Sequence, residues 1–255
     1  MRKRQKFVLT SLLLAGSLAA IQATTIEVRY MLLLLLCLVT WVLSAWSLRE
    51  GLEGIEWLTV LLPQTLFTAG VGFFFILLPG NWIAKILVVG LFAVGQYASL
   101  LTANIFSVAA IRTIALFRAA SAVGFIMSLV TGFLLFNTVL SFKMGFWLNV
   151  PLVFFISLGL VIPALWSIEL QDRLSIKVAL YSLFIAIGMS LFALSISFWP
   201  VSVVVSSIFL ATMLYVYLGI TQHHFSGRLF GKTIWEYVSV GVVVLVTMLL
   251  TSIYA

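Results

Sequence analysis

Nine stretches of this chain, 7–24, 30–48, 58–78, 83–101, 119–142, 148–168, 176–198, 201–220 and 235–254, are 18–24 residues long and carry at most one charged residue each. A segment in hydrocarbon has no water to satisfy its backbone N–H and C=O groups. It must bond internally, as a helix or as a strand of a closed barrel. A helix crosses the core in about 20 residues, whereas a barrel strand needs about 10 and alternates apolar with polar. These runs are too long and too uniformly apolar for strands. The expected fold is therefore all-α, a polytopic membrane bundle of about nine transmembrane helices.

Composition leaves little room for anything else. Of 255 residues, 64% are hydrophobic and 8% charged, against about a quarter charged in a soluble domain. One transmembrane domain, 1–255, is expected. Within it, 1–57 forms two helices and an acidic loop. A faint likeness hints at repeat halves, 58–175 and 176–255. The segments "TLFTAGVGFFFILLP" at 65–79 and "SLFIAIGMSLFALS" at 182–195 share Leu-Phe, an Ala two residues on and a later Phe. A parallel duplication four helices apart would produce this.

The net charge of +7 would suggest nucleic acid in a soluble protein, but here the basic residues flank the runs. No nucleic-acid partner is expected. With the N-terminus inside, 11 of the 14 basic residues fall on the cytoplasmic side and only Arg29, Lys85 and Lys143 outside. That bias follows the positive-inside rule. The expected location is a bacterial cytoplasmic membrane, with the C-terminus outside and anionic headgroups as partners of the inner loops. The basic start followed by "FVLTSLLLAGSLAAI" also has the form of a signal peptide; a retained first helix is the preferred reading because the apolar stretch continues to Thr24. Seven tryptophans, Trp46, Trp57, Trp82, Trp147, Trp166, Trp199 and Trp235, fall at or beside run ends, where an amphipathic indole suits the headgroup level.

The segment "GRLFGKT" at 227–233 suggests a phosphate loop. A P-loop needs four residues between its glycines and a strand before them. Here there are three, after a membrane helix, so two glycine breaks between helices are expected instead. His223 and His224 are adjacent, so on a helix their side chains point about 100° apart and do not aim at one metal. Together with Arg112, Arg118, Arg228 and Lys232 they are expected cytoplasmic lipid or partner contacts.

All seven acids lie in loops or at run ends. A carboxylate at mid-membrane usually marks ion coupling, and none is expected here. Glu50, Glu53 and Glu56 read as a solvated linker. Polar uncharged residues within or near helices include Gln64, Gln96, Asn104 and Asn137, an expected intramembrane polar site or set of helix-to-helix hydrogen bonds. Pro63 and Pro163 are expected to kink their helices. Ala120, Gly124, Ser128 and Gly132 recur every fourth residue, a groove of small side chains that predicts a central, closely packed fifth helix. Residues 103–118 are read as a partly interfacial helix.

No hydrolase elbow, zinc spacing, paired catalytic carboxylates or dinucleotide fingerprint is present. A non-enzymatic protein without cofactor or metal is expected. The first expectation is a scaffold or assembly subunit of a membrane complex. The second is a transporter, or its membrane subunit, for a neutral or lipidic solute.

Overall fold

A computed structural model describes residues 3–78, 81–109, 116–171 and 173–253. The helices are α1 Lys3–Ile21, α2 Ile26–Leu48, α3 Glu56–Thr59, α4 Leu62–Leu77, α5 Trp82–Ala109, α6 Phe117–Ser141, α7 Phe146–Glu169, α8 Ile176–Ser197, α9 Val203–Phe225 and α10 Gly231–Ile253. Each apolar run coincides with a helix, the third with α3 and α4 together. Eight helical segments, counting α3 and α4 as one, are long and apolar enough to cross a membrane. The chain is an all-α, multi-pass integral membrane protein. The helix outside that set, α1, carries Lys3, Arg4 and Lys6 at its start.

The described chain divides into two compact units, Met1–Met127 with Leu170–Arg173, and Ser128–Glu169 with Leu174–Ala255. The division falls inside α6.

In the first unit α1 packs against α5 and α2, α2 against α4, and α4 against α5. One face of α1 is buried, through Phe7, Leu14, Leu18 and Ile21. These recur at helical spacing, which turns one stripe toward the neighbours. The α1–α2 hairpin is pinned at both ends. At one, Thr10 and Ser47 share a hydrogen bond of 2.8 Å and the Lys6 ammonium lies 5.5 Å from the Trp46 ring centre. At the other, Arg29 donates to the carbonyls of Gln22 and Thr24, both at 2.9 Å. A cation there satisfies carbonyls of the turn just beyond α1 and opposes the dipole at that end of the helix.

In the second unit the closest pair is α7 with α8; α9 lies beside both, and α10 beside α9. On α8 the buried stripe is Ser182, Ala186, Met189 and Ala193. On α7 it includes Ser157, Val161 and Ala164. Small side chains on both surfaces let the backbones approach. The Tyr237 ring of α10 occupies the space that a Cβ at Gly219 of α9 would need.

Four expectations change. First, at both glycines of the small-residue groove on α6 the nearest atoms are side chains rather than a neighbouring backbone. A Cβ at Gly124 would meet Phe106 at 3.3 Å, and one at Gly132 would meet Leu214 at 2.8 Å. Ala120 and Gly132 are buried, whereas Gly124 and Ser128 are half-buried. Second, Pro63 does not kink a continuous helix. It sits in the first turn of α4, where its missing N–H would have had no helical partner, and the chain breaks before it at Val60 and Leu61. Pro163 lies inside α7, with Pro151. Third, Trp166 is only 2% exposed, unlike the six other run-end tryptophans, which are exposed. Fourth, 103–109 continues α5, with Ala103 and Ser107 buried, and 110–115 lies outside the described residues.

Candidate functional site: a buried polar seam

The helices α2, α4 and α5 are apolar outside and polar where they meet. On α2, Thr40, Ser44 and Ser47 recur at intervals of four and three, so they share a face, and all three are buried. On α4, Gln64 and Thr68 are one turn apart and buried. On α5, Gln96, Ser99 and Thr102 are buried.

Cross-helix contacts set the register. The Thr40 hydroxyl donates to that of Thr68 at 3.2 Å, and Leu33 of α2 lies against Gly72 of α4. In this antiparallel pair the next turn of α2 brings Ser44 level with Gln64. Between α4 and α5, Gln64 Nε2 donates to the Ser99 carbonyl at 3.4 Å, and Phe67 stacks on Phe92 with ring centres 5.7 Å apart. Gln96 is three residues before Ser99, one turn along the same helix.

The seam is not satisfied from within. Gln96 is 0% exposed, Ser44 0% and Gln64 1%. Yet Gln96 Nε2 and Oε1, Gln64 Oε1 and Ser44 Oγ have no hydrogen-bond partner among the described residues. A buried polar group without a partner costs about 1–3 kcal/mol. The seam carries no charged side chain: its members are threonine, serine and glutamine. Such a lining can recognise an uncharged hydrogen-bonding group, and it offers no countercharge to an ion.

The other polar candidates lie elsewhere. Asn104 is half-buried on α5. Asn137 belongs to the second unit, where its Nδ2 donates to Ser207 Oγ at 3.0 Å; it is a helix-to-helix bond. Within that unit Ser157 Oγ, Ser182 Oγ and one oxygen each of Asn149 and Glu169 also have no partner among the described residues.

The expected lipid contacts are Arg118, Arg228, Lys232 and His224, all exposed, and half-buried His223; Arg112 lies outside the described residues. The two histidines diverge. His224 Nε2 is 3.3 Å from the Tyr181 hydroxyl of α8, and the His223 ring centre is 5.7 Å from that of Tyr237 on α10. Among the described residues no three His, Cys, Asp or Glu side chains gather as a metal site.

The "GRLFGKT" segment is a helix cap. Gly227 has φ +65°. Its N–H bonds the His224 carbonyl at 3.1 Å, and the Arg228 N–H bonds that of His223 at 2.9 Å. This pair of bonds is the Schellman pattern that closes a helix. Gly231 then opens α10. In the acidic loop Glu53 is exposed, but Glu56 is only 7% exposed, and its carboxylate accepts the Glu53 N–H at 3.4 Å. Glu56 is therefore part of a folded turn, not a solvated linker; the Glu50 side chain lies outside the described residues.

The comparison with known families covers almost the whole chain. Residues 7–251 match the family described as protein of unknown function (DUF5656). The chain belongs to this family. No curated protein matches it, and neither does any solved structure. In this DUF5656 member the match extends over both units, so the seam and the α7–α8 contact both fall within the family's span.

Sequence reading picked out Gln64 and Gln96 and missed Thr40, Ser44, Ser47 and Thr68. The signal was there: three hydroxyl residues on one face of α2, and one a turn beyond Gln64.

Proposed function

We propose that this protein binds a neutral or lipidic solute within the bilayer, as a transporter or the membrane subunit of one, and performs no catalysis. The supporting observation is the Gln96 amide: fully buried, with neither donor nor acceptor partnered among the described residues, while α2 and α4 carry two more buried groups without partners, Ser44 Oγ and Gln64 Oε1. A helix bond alone does not need such a group; Asn137 with Ser207 shows the satisfied alternative. The test is ligand-induced thermal stabilisation in phosphatidylcholine nanodiscs, with neutral amphiphiles as the probes. At least one chemical class should raise the Tm of the wild type and leave Gln96→Leu unmoved. Equal response of both proteins to every class would dispose of the reading.

A second reading, a non-enzymatic scaffold or assembly subunit, draws support from α10. Only 11% of its span is buried, against 28–50% for the other seven. A photo-crosslinking residue at Val243, which is exposed, would capture a protein partner under this reading and lipid alone otherwise.

We further propose a bacterial cytoplasmic membrane with the N-terminus inside and, with α1 retained as a ninth span, the C-terminus outside. The packing of α1 on α5 and α2 supports its retention. Exposed Arg118, Arg228 and Lys232 then meet anionic headgroups, at about 1 kcal/mol each. Opposite accessibility of two terminal tags to an impermeant reagent is the expected result.

A further inference from the structure

We infer that Ser44, Gln64 and Gln96 form a seat for one uncharged hydroxyl group, carried either by a long-chain alcohol or by water. The inference rests on the solute-binding reading and narrows it to one chemistry.

The inventory of groups without partners decides the class. Gln96 offers two N–H donors and a carbonyl, Gln64 a carbonyl, and Ser44 a hydroxyl that can donate or accept. The ligand must therefore both donate and accept. A carboxylate, phosphate or ammonium would need a countercharge, and no member of the seam is charged; burying an ion without one is far more costly than burying a hydroxyl. An ether or ester only accepts, so it would leave the glutamine carbonyls without a donor. A hydroxyl donates one bond and accepts up to two, which matches one carbonyl and one amide N–H. The host phase adds a preference. The helices sit in hydrocarbon, from which an apolar chain with a terminal hydroxyl arrives already concentrated.

The register makes a shared seat feasible. Ser44 is level with Gln64, because Thr40 bonds Thr68 one turn away in each helix. Gln64 in turn reaches the backbone of α5 at Ser99, one turn from Gln96. In the second unit, by contrast, the side-chain atoms on α7 and α8 without partners among the described residues are Ser157 Oγ, Ser182 Oγ, Asn149 Oδ1 and one Glu169 oxygen. Asn149 Nδ2 already donates to the Met144 carbonyl, so no amide there has both donor and acceptor unpartnered, as Gln96 has.

The experiment is photolabelling in phosphatidylcholine nanodiscs, whose lipid has no hydroxyl. The probes are a long-chain alcohol with a diazirine near its oxygen, the matching methyl ether and the matching alkane. The alcohol should label peptides of α2, α4 and α5, with the ether about tenfold weaker, the ratio expected from the loss of one donated hydrogen bond to a buried acceptor. Gln96→Leu should reduce labelling about tenfold, and the nearly isosteric Ser44→Ala should reduce it severalfold, guarding against a misfolded leucine variant. Equal labelling by alcohol and ether overturns the hydroxyl seat but leaves neutral-solute binding standing. If no probe labels the seam, Ser44→Cys in a Cys37→Ala background is treated with a small water-soluble thiosulfonate. Reaction there identifies water as the hydroxyl: the seat survives and the solute-binding function falls. No labelling and no reaction overturn both.

Discussion

On α7 and α8, which pack together, the buried stripes carry the serines Ser157 and Ser182 among Val161, Ala164, Ala186 and Ala193, with Asn149 a buried amide near the start of α7. Where α2, α4 and α5 meet, the buried polar residues include two glutamines, Gln64 and Gln96, with Thr40, Ser44 and Thr68. A serine is little larger than an alanine and lets two helices close up; its hydroxyl is incidental to that purpose. A glutamine side chain is long, and its amide brings four hydrogen-bonding positions into a medium that satisfies none of them. The first interface is polar because it must be small. The second cannot be explained that way, so its polarity needs another use.

Four substitutions break or sharpen this contrast, in descending size. Ala186 is fully buried in the stripe facing α7, so Ala186→Leu should force the α7–α8 pair apart. A loss of about 3 kcal/mol or more, beyond the usual overpacking cost, should appear as poor yield and a much lower Tm. Wild-type behaviour would mean that small size is not what this contact requires. Arg29→Ala removes two bonds to the turn just beyond α1 and should cost about 1–2 kcal/mol in the first unit, read as a lower Tm and faster proteolysis at the α1–α2 turn. Asn137→Leu removes a satisfied bond to Ser207. It should cost about 0.6 kcal/mol, the average for interhelical bonds in membranes, and no more than about 1.7 kcal/mol, and should leave solute binding unchanged. Ser157→Ala should shift stability by no more than about 0.5 kcal/mol, because size is kept and only a hydroxyl without a partner is lost. A large loss there would show that the hydroxyl itself is used.

The architecture was legible because its cause is chemical and local: a run of about 20 apolar residues in hydrocarbon has few ways to satisfy its backbone. Gln64 and Gln96 were legible for the same reason, as amides within otherwise apolar helices. What stayed hidden was orientation. In water, apolar residues mark the inside of a bundle. In lipid the outside is as apolar as the inside, so Trp166 at the end of α7 reads like the exposed Trp147 at its start. The small-residue stripe meets a related obstacle. Ala120, Gly124, Ser128 and Gly132 form one half of a close contact, and α6 meets Phe106 and Leu214. Ser182, Ala186 and Ala193 lie on the buried stripe of α8, and Ser157 and Ala164 on that of α7, which packs against it; this matching half lies in another run and cannot be paired with it by pattern alone. Thr40, Ser44 and Ser47 were legible in principle, since their spacing puts them on one face; only Thr68 and the glutamines across from them give that face its meaning.

The central claim is that Gln96 is kept for a ligand and not for the fold. The direct measurement is thermal unfolding of the wild type and Gln96→Leu in phosphatidylcholine nanodiscs, with and without a saturating long-chain alcohol. Without alcohol, the leucine variant should equal the wild type or exceed it by about 1–3 kcal/mol, since a buried amide without a partner has been removed. With alcohol at about 100 times its Kd, the wild type should gain about 2.7 kcal/mol and the variant nothing. A leucine variant that is less stable from the start, yet is stabilised by the alcohol as much as the wild type, would contradict the account.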